Sequence, residues 1–487
     1  MTTNIIEFGR IYKEDLAQGN NPETVILADG QPLLMHPLLN ADGRLATGLG
    51  GIDDLFVDVA AYATGGTGTS GDPWTGWDTA TTWSTARKYV FRPGHYLATS
   101  TLLLAANYLH LIGSGVRASV LHFEPTADDT FLEFHNGASE LWQCSLRNLS
   151  ILSADSTYTK IAVDLVDTRR FVLEDVEISG TVAVGGTNYW SGGAGSIGLR
   201  TRGRDSLAIR GLAAAADSPV VVGLNPNNAI ALDHAHWWDL DLVANGKPVI
   251  TVTDGAQISN WTLDGEQAWV KGTAGLQWTD TAGTVACANI RIVNARWEQA
   301  ESAGYMLDFN LTGTAGLYGL NVENLCDAIA GNGLRLRNVL GADIQSFIHA
   351  GGAGTTSLDA NSTCKALQFA GCFFQTGSTV TTTGLTKQIL AGASNLGGEI
   401  EPLVIYDVPT GVSGYTELRF GATGVISDGA TIAHGMAAQP TAVLLTGTAP
   451  NETVTLQDLD ATNITVYIKK ADGSAGTAQP VSWVAIR

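Results

Sequence analysis

The sequence predicts an all-β chain organised around a right-handed parallel β-helix (solenoid) of roughly ten coils. Three observations predict it: one short phrase recurs, its apolar positions alternate, and no amphipathic helical pattern separates the repeats. The phrase runs apolar, any, apolar, any, then Asn, Asp or Gly, then apolar. Its polar or Gly position falls at Gly113, Asn148, Asp175, Gly211, Asp239, Asn260, Asn294, Gly319, Asn338 and Gly371. Two residues earlier stand Leu111, Leu146, Leu173, Ile209, Trp237, Ile258, Ile292, Leu317, Leu336 and Phe369. Four earlier stand Leu109, Cys144, Phe171, Leu207, Ala235, Ala256, Ile290, Ala315, Leu334 and Leu367. Alternate apolar residues mark strands with one face inward. Asn, Asp and Gly tolerate a left-handed backbone, which turns a strand within one residue. A corner at the same place in each coil is what stacking into a solenoid requires. A second strand per coil is expected in segments such as 161–166, 196–202, 229–235, 249–254 and 305–309.

The remaining elements follow in chain order. Residues 1–80 lack the repeat and are rich in turn residues, so they read as an N-terminal attachment segment and a cap over the first coil, whose edge and core need covering. Residues 81–383 form the solenoid. Residues 384–414 read as a linker or closing segment. Residues 415–487 carry short alternating strands split by turn residues, the pattern of a small β-sandwich.

Composition narrows the function classes. The chain has 487 residues, 45% hydrophobic and 15% charged, with 57 Gly. That favours strands joined by tight turns over long helices. The net charge of −20 repels nucleic acid and anionic membrane surfaces, so neither is an expected partner. The 5 Cys include no CxxC pair, which argues against a metal site or a disulfide framework. No stretch suits a membrane span, and no signal peptide is expected. No cofactor is expected.

The segment Phe91-Arg92-Pro93-Gly94-His95-Tyr96, followed by Leu109-His110-Leu111-Ile112-Gly113-Ser114-Gly115, resembles the phrase that precedes the first coils of pectate-lyase-like β-helix proteins. The layout of attachment segment, β-helix and C-terminal sandwich looks like a bacteriophage tailspike. The resemblance implies a homotrimer, carried on the virion tail or baseplate through its N-terminus and made in the host cytoplasm. It also implies that the chain recognises, and often cleaves, a bacterial surface polysaccharide. It does not identify the catalytic residues.

Glycoside hydrolysis needs two carboxyl groups across the scissile bond. Adjacent coils stack about 4.8 Å apart, so outward columns read as lines of neighbours. Four residues after the corner stand Asp264, Glu298 and Glu323, the expected catalytic column. Asp264 and Glu298 are expected to be direct neighbours, about 5 Å apart as a retaining pair, and Asp264 and Glu323 to lie near the inverting range. Two residues after the corner stand Asp241, Thr262, Arg296 and Asn321. One before it stand Trp238 and Tyr318. Arg and Asn bind hydroxyls or sugar carboxylates and aromatic faces stack on sugars, so Asp241, Arg296, Asn321, Trp238 and Tyr318 are the expected substrate-binding set. The alternative is an acidic solvated face neutralised by Arg296. Glu266 and Asp241 are further candidate acids. Trp261 and Trp297 fall at inward positions and read as core. His234 and His236 share a strand face but lack a third ligand, so no metal is expected. A non-enzymatic receptor-binding fibre and a polysaccharide lyase are the alternative functions on this fold.

Overall fold

The structure is a computed structural model that describes the chain except residues 1–23, 27–31, 35–55, 81–82, 84–87, 154–156, 181–182, 185–186, 191–194, 204, 229, 272, 282–286, 300–303, 313–315, 328–330, 351–353, 375–378, 384–393, 397–398, 402–403, 406–417, 436–438 and 487. Parallel stacking begins where Phe56–Asp58 pairs with Lys88–Phe91, within the segment expected as the cap. It continues coil on coil to Lys365–Ala370. The result is a parallel β-solenoid of about ten turns.

Each coil turns twice within six residues. The first corner column is Tyr108, Gln143, Arg170, Ser206, His234, Asn260, Asn289, Gly319, Gly341 and Ala366, all with positive φ. The second is Gly113, Asn148, Asp175, Gly211, Asp239, Gly265, Asn294, Asn324, Ser346 and Gly371, with positive φ at every position after Gly113. In each coil the second corner follows the first by five residues. The four residues between them form a short strand whose first and third side chains point inward and whose second and fourth point out. Trp261 and Leu263, Ile290 and Ile292, and Leu320 and Val322 are such inward pairs, each at most 1% exposed.

The single corner column expected from sequence is therefore corrected to two. Asp239 and Asn294 belong to the second column, whereas Asn260 and Gly319 belong to the first. Asn338 ends the strand Asn332–Arg337 of another sheet. Both corners are flanked by alternating apolar residues, so the same phrase fits either one. The segment 229–235 is also reassigned: its strand, Ile230–Trp238, pairs with the corner-bearing strands on both sides.

Asn side chains join corners up the stack. In the first column Asn289 Nδ2 donates to Asn260 Oδ1 at 2.9 Å, and Asn260 Nδ2 donates to Asp233 Oδ1 at 3.0 Å. In the second, Asn324 Nδ2 donates to Asn294 Oδ1 at 3.2 Å, and Asn294 Nδ2 donates to Asp264 Oδ1 at 3.0 Å. Each ladder ends on an Asp that precedes a corner with no amide, His234 in one case and Gly265 in the other. Asn294→Ala should cost about 2 kcal/mol, through two lost hydrogen bonds and a left-handed φ that Ala disfavours. Asn294→Gly keeps the φ and should recover part of that loss. Equal denaturation midpoints for the two variants would remove the backbone part of this account.

The second sheet of the solenoid has eleven strands stacked in parallel, among them Lys160–Val166, Ala274–Asp280, Tyr305–Leu311 and Asn332–Arg337. Between the sheets lies one continuous apolar core. Gly275 exists for Trp297: a Cβ there would sit 2.3 Å from the indole Cε3. No disulfide joins any of the five cysteines.

The upper end is closed by a change of direction. Ser394–Leu396 stacks in parallel on Phe373–Phe374, then forms a hairpin with Glu399–Glu401, and Val404–Ile405 pairs antiparallel with Lys365–Ala370. The C-terminal residues form two three-stranded antiparallel sheets. Ile432, Ile464, Val466 and Ile468 from one sheet and Val481 and Ala485 from the other share a single core, the packing of a small sandwich. Among the described residues, no helix is long and apolar enough to cross a membrane.

Candidate functional site

The strand between the two corners presents two outward columns. One column, two residues past the first corner, runs His236, Thr262, Arg291, Asn321, Asp343 and Gln368. The other, four past it, runs Trp238, Asp264, Val293, Glu323 and Gln345. A groove of about 620 Å³ lies along the first of these columns. Its wall is Thr262, Arg291, Asn321, Asp343 and Gln368, and its floor runs past the corners Gly319, Gly341 and Ala366. Small residues at three successive corners keep that floor open. Five coils at about 4.8 Å per step make the wall roughly 19 Å long.

The expected catalytic column divides. Asp264 stacks on Val293 and Val293 on Glu323, so Asp264 and Glu323 lie two coils apart, about 10 Å. Glu298 instead stacks on Trp269, beyond the second corner. Asp264 and Glu298 are therefore not neighbours, and the expected retaining pair is withdrawn. The reason is the doubled corner: counting four residues from Asn260 stops on one face, and counting four from Asn294 stops on the next. Asp264 is also engaged as the end of the Asn ladder. Glu298 accepts a hydrogen bond from Arg296 Nη2 at 2.5 Å.

The binding set divides in the same way. Asp241 and Arg296 share one column, with Gln267 between them. Asn321 lies in the groove wall. Trp238 packs beside His236, with ring centroids 4.7 Å apart, at the groove's lower end. Tyr318 is 49% exposed on the other side of the Gly319 corner. Trp261 and Trp297 are core. Asp241 lines a second groove of about 500 Å³ with Arg117, Glu177 and Ala213. There burial works against the Glu177 carboxylate, but hydrogen bonds from Arg117 and Ser150 outweigh it and lower the Glu177 pKa.

Glu266 does not face solvent. It follows the second corner directly, where the side chain points inward, and it is 1% exposed. Burial pushes its pKa up to about 8, against a smaller pull from the Trp297 indole. It is a core acid, and its candidacy for the outward face is withdrawn.

Two features were not read from sequence. Asp343 faces the groove, and continuing the column Thr262, Arg291, Asn321 finds it once the corners are separated. Glu323 accepts from Arg291 Nη2 at 3.5 Å, which joins the two outward columns. Asp343 Oδ2 accepts from Gln345 Nε2 at 2.8 Å. Glu323 and Asp343 are diagonal neighbours, one coil and two residues apart, roughly 8 Å. Among the described residues, ligand atoms of Asp205, Asp233 and His234 lie within 4.8 Å of one another and could hold a cation. His236 is not part of that cluster.

No protein-family model matches the chain, and no curated protein does. Among solved structures, the Dettilon tailspike protein is similar at 11% identity, over 92% of this chain and 97% of that one, with a TM-score of 0.48. A double mutant of the tailspike of E. coli bacteriophage HK620 is similar at 9% identity, over 98% and 100%, with a TM-score of 0.43. The A-module of an Azotobacter vinelandii mannuronan C-5 epimerase is similar at 13% identity, over 70% and 96%, with a TM-score of 0.35.

Proposed function

We propose that this chain is a tailspike-type protein that binds a bacterial surface polysaccharide along the groove and hydrolyses it with Asp343 and Glu323. The groove carries the reading: an open floor of small corner residues beside a polar wall, with two carboxyl groups on adjacent coils. Their backbone positions, roughly 8 Å apart in the stack, suit an inverting pair, whose carboxyl groups stand about 6.5–9.5 Å apart to leave room for a water on the far side of the bond. One carboxyl group would protonate the leaving oxygen and the other would activate that water. Arg291 holds Glu323 in place, and Asn321 lies beside Asp343 to position a sugar hydroxyl. Tyr318 and Trp238 offer aromatic faces at the rim. The tailspike-like layout of the sequence supports assembly as a homotrimer, with attachment to the phage tail through the N-terminus.

The test is release of reducing ends from bacterial capsular and O-antigen polysaccharides. Asp343→Asn and Glu323→Gln should each lower cleavage by about a hundredfold or more while melting normally. Glu298→Gln should cut like the wild type. Full activity in both of the first two variants would place the chemistry elsewhere. Binding without cleavage by the wild type would make the chain a receptor-binding fibre.

A further inference from the structure

We infer that the groove is built for a polysaccharide without acid groups, one that meets the wall with hydroxyl or amide N–H donors. The inference rests on the glycan-groove reading and deepens it by naming the substrate class. Three observations carry it.

The first is a pair of unused acceptors. Asn321 Oδ1 and Asp343 Oδ1 are both shielded from solvent, and neither has a hydrogen-bond donor among the described residues. They sit at matching positions of adjacent coils, about 4.8 Å apart in the stack. A shielded acceptor without a donor is costly, and a ligand that draws either group round to face the groove and brings it a donor relieves that cost. Sugar hydroxyls and acetamido N–H groups are such donors. A carboxylate, sulfate or phosphate on the glycan brings further acceptors instead.

The second is the state of the arginine. Arg291 is the cation of the wall, and its guanidinium is already paired with Glu323. Glu323 already offsets its charge, so an acidic sugar gains less from this arginine than it would from an unpaired one. The third is the local balance of charge. Asp264, Glu323 and Asp343 lie on the two outward columns, and against them stand Arg291 and, one column over at the upper rim, Lys365. The whole chain carries −20. An anionic polymer meets a repulsive surface here, whereas a neutral one does not.

The experiment is a binding screen of the full chain against bacterial capsular and O-antigen polysaccharides, sorted into neutral polymers and those with uronate, sulfate or phosphate groups. Binding is read at low and at high salt. The expected hits are neutral polymers with little salt dependence. A tight hit among the acidic polymers overturns this inference and leaves the glycan reading standing. No hit in either class overturns the glycan reading itself. On any neutral hit, Asn321→Leu removes one acceptor at nearly constant shape and should weaken binding about tenfold or more without lowering the melting temperature. Unchanged affinity in that variant overturns the acceptor argument. Gln368→Lys adds a cation at the exposed upper end of the wall. It should raise the affinity of acidic polymers, and unchanged rejection of them at low salt would also sink the inference.

Discussion

Glu266→Gln should make the protein more stable at pH 8 by several kcal/mol, and should flatten its stability between pH 4.5 and 8. Glu266 stands between Leu240 and Ala295 in an inward column, and the weak pull of the Trp297 indole does not offset the burial of its carboxyl. Burial raises its pKa from 4.5 to about 8. Between those values the folded chain holds a proton that the unfolded chain releases. The contribution of Glu266 to stability is therefore greatest below about pH 4.5 and falls as pH rises to about 8. The span of 8 − 4.5 = 3.5 pH units, at about 1.4 kcal/mol per unit, gives a contribution on the order of 5 kcal/mol. Gln has nearly the same shape and no charge to desolvate, so the gain should fade as pH falls below about 4.5. Denaturant titrations of wild type and variant across pH 5–9 measure it. Parallel pH profiles would mean that Glu266 reaches water or a partner in the folded state.

Asp164→Ala should cost about 3 kcal/mol or more. Asp164 is fully buried on the strand Lys160–Val166, in a column between Glu133 and Arg200. Arg200 grips it with Nε at 3.1 Å and Nη2 at 2.6 Å. Arg202 grips it from the same coil with Nε at 3.2 Å and also through Nη2. Removing the carboxylate leaves two guanidinium groups facing each other with nothing between them. Breaking a buried pair by deleting one partner typically costs about 3–5 kcal/mol. The two arginines are 27% and 22% exposed and keep some access to water, which places the cost toward the lower end. Arg200→Ala should cost less, because Arg202 still holds the carboxylate. A loss under about 1 kcal/mol for Asp164→Ala would show that the two arginines do not depend on it.

The inward half of the fold is legible in the sequence. Leu111, Leu146, Leu173, Ile209 and Trp237 are fully buried, because an alternating apolar residue has only one face on which to be useful. The position of the corners was only half legible. Asn260 and Asn294 are the same residue type in the same kind of phrase, and nothing local says that one opens the short strand and the other closes it. The outward side chains bear the consequence. A corner resets the alternation, so crossing one unawares turns a residue to a different face. That is how Glu266 read as a surface acid, how Glu298 joined the wrong column, and how Asp343 was passed over five residues beyond Asn338. The Asp164 cluster was missed for another reason: Arg200 and Arg202 meet Asp164 only through the register of the second sheet, which the corner phrase does not report.

The fixed step of five residues between corners also governs how such a protein can change over time. Every coil shares that step, while the arc that completes the coil varies in length from one to the next. Insertions and deletions are therefore better tolerated in the loops of the arcs, outside the strands of the second sheet, than within the step. Each coil places one wall residue and one neighbour in fixed positions, like type set in a frame. Outward wall residues such as Thr262 and Gln368 can be exchanged one at a time to present a new surface, with the scaffold beneath it unaltered.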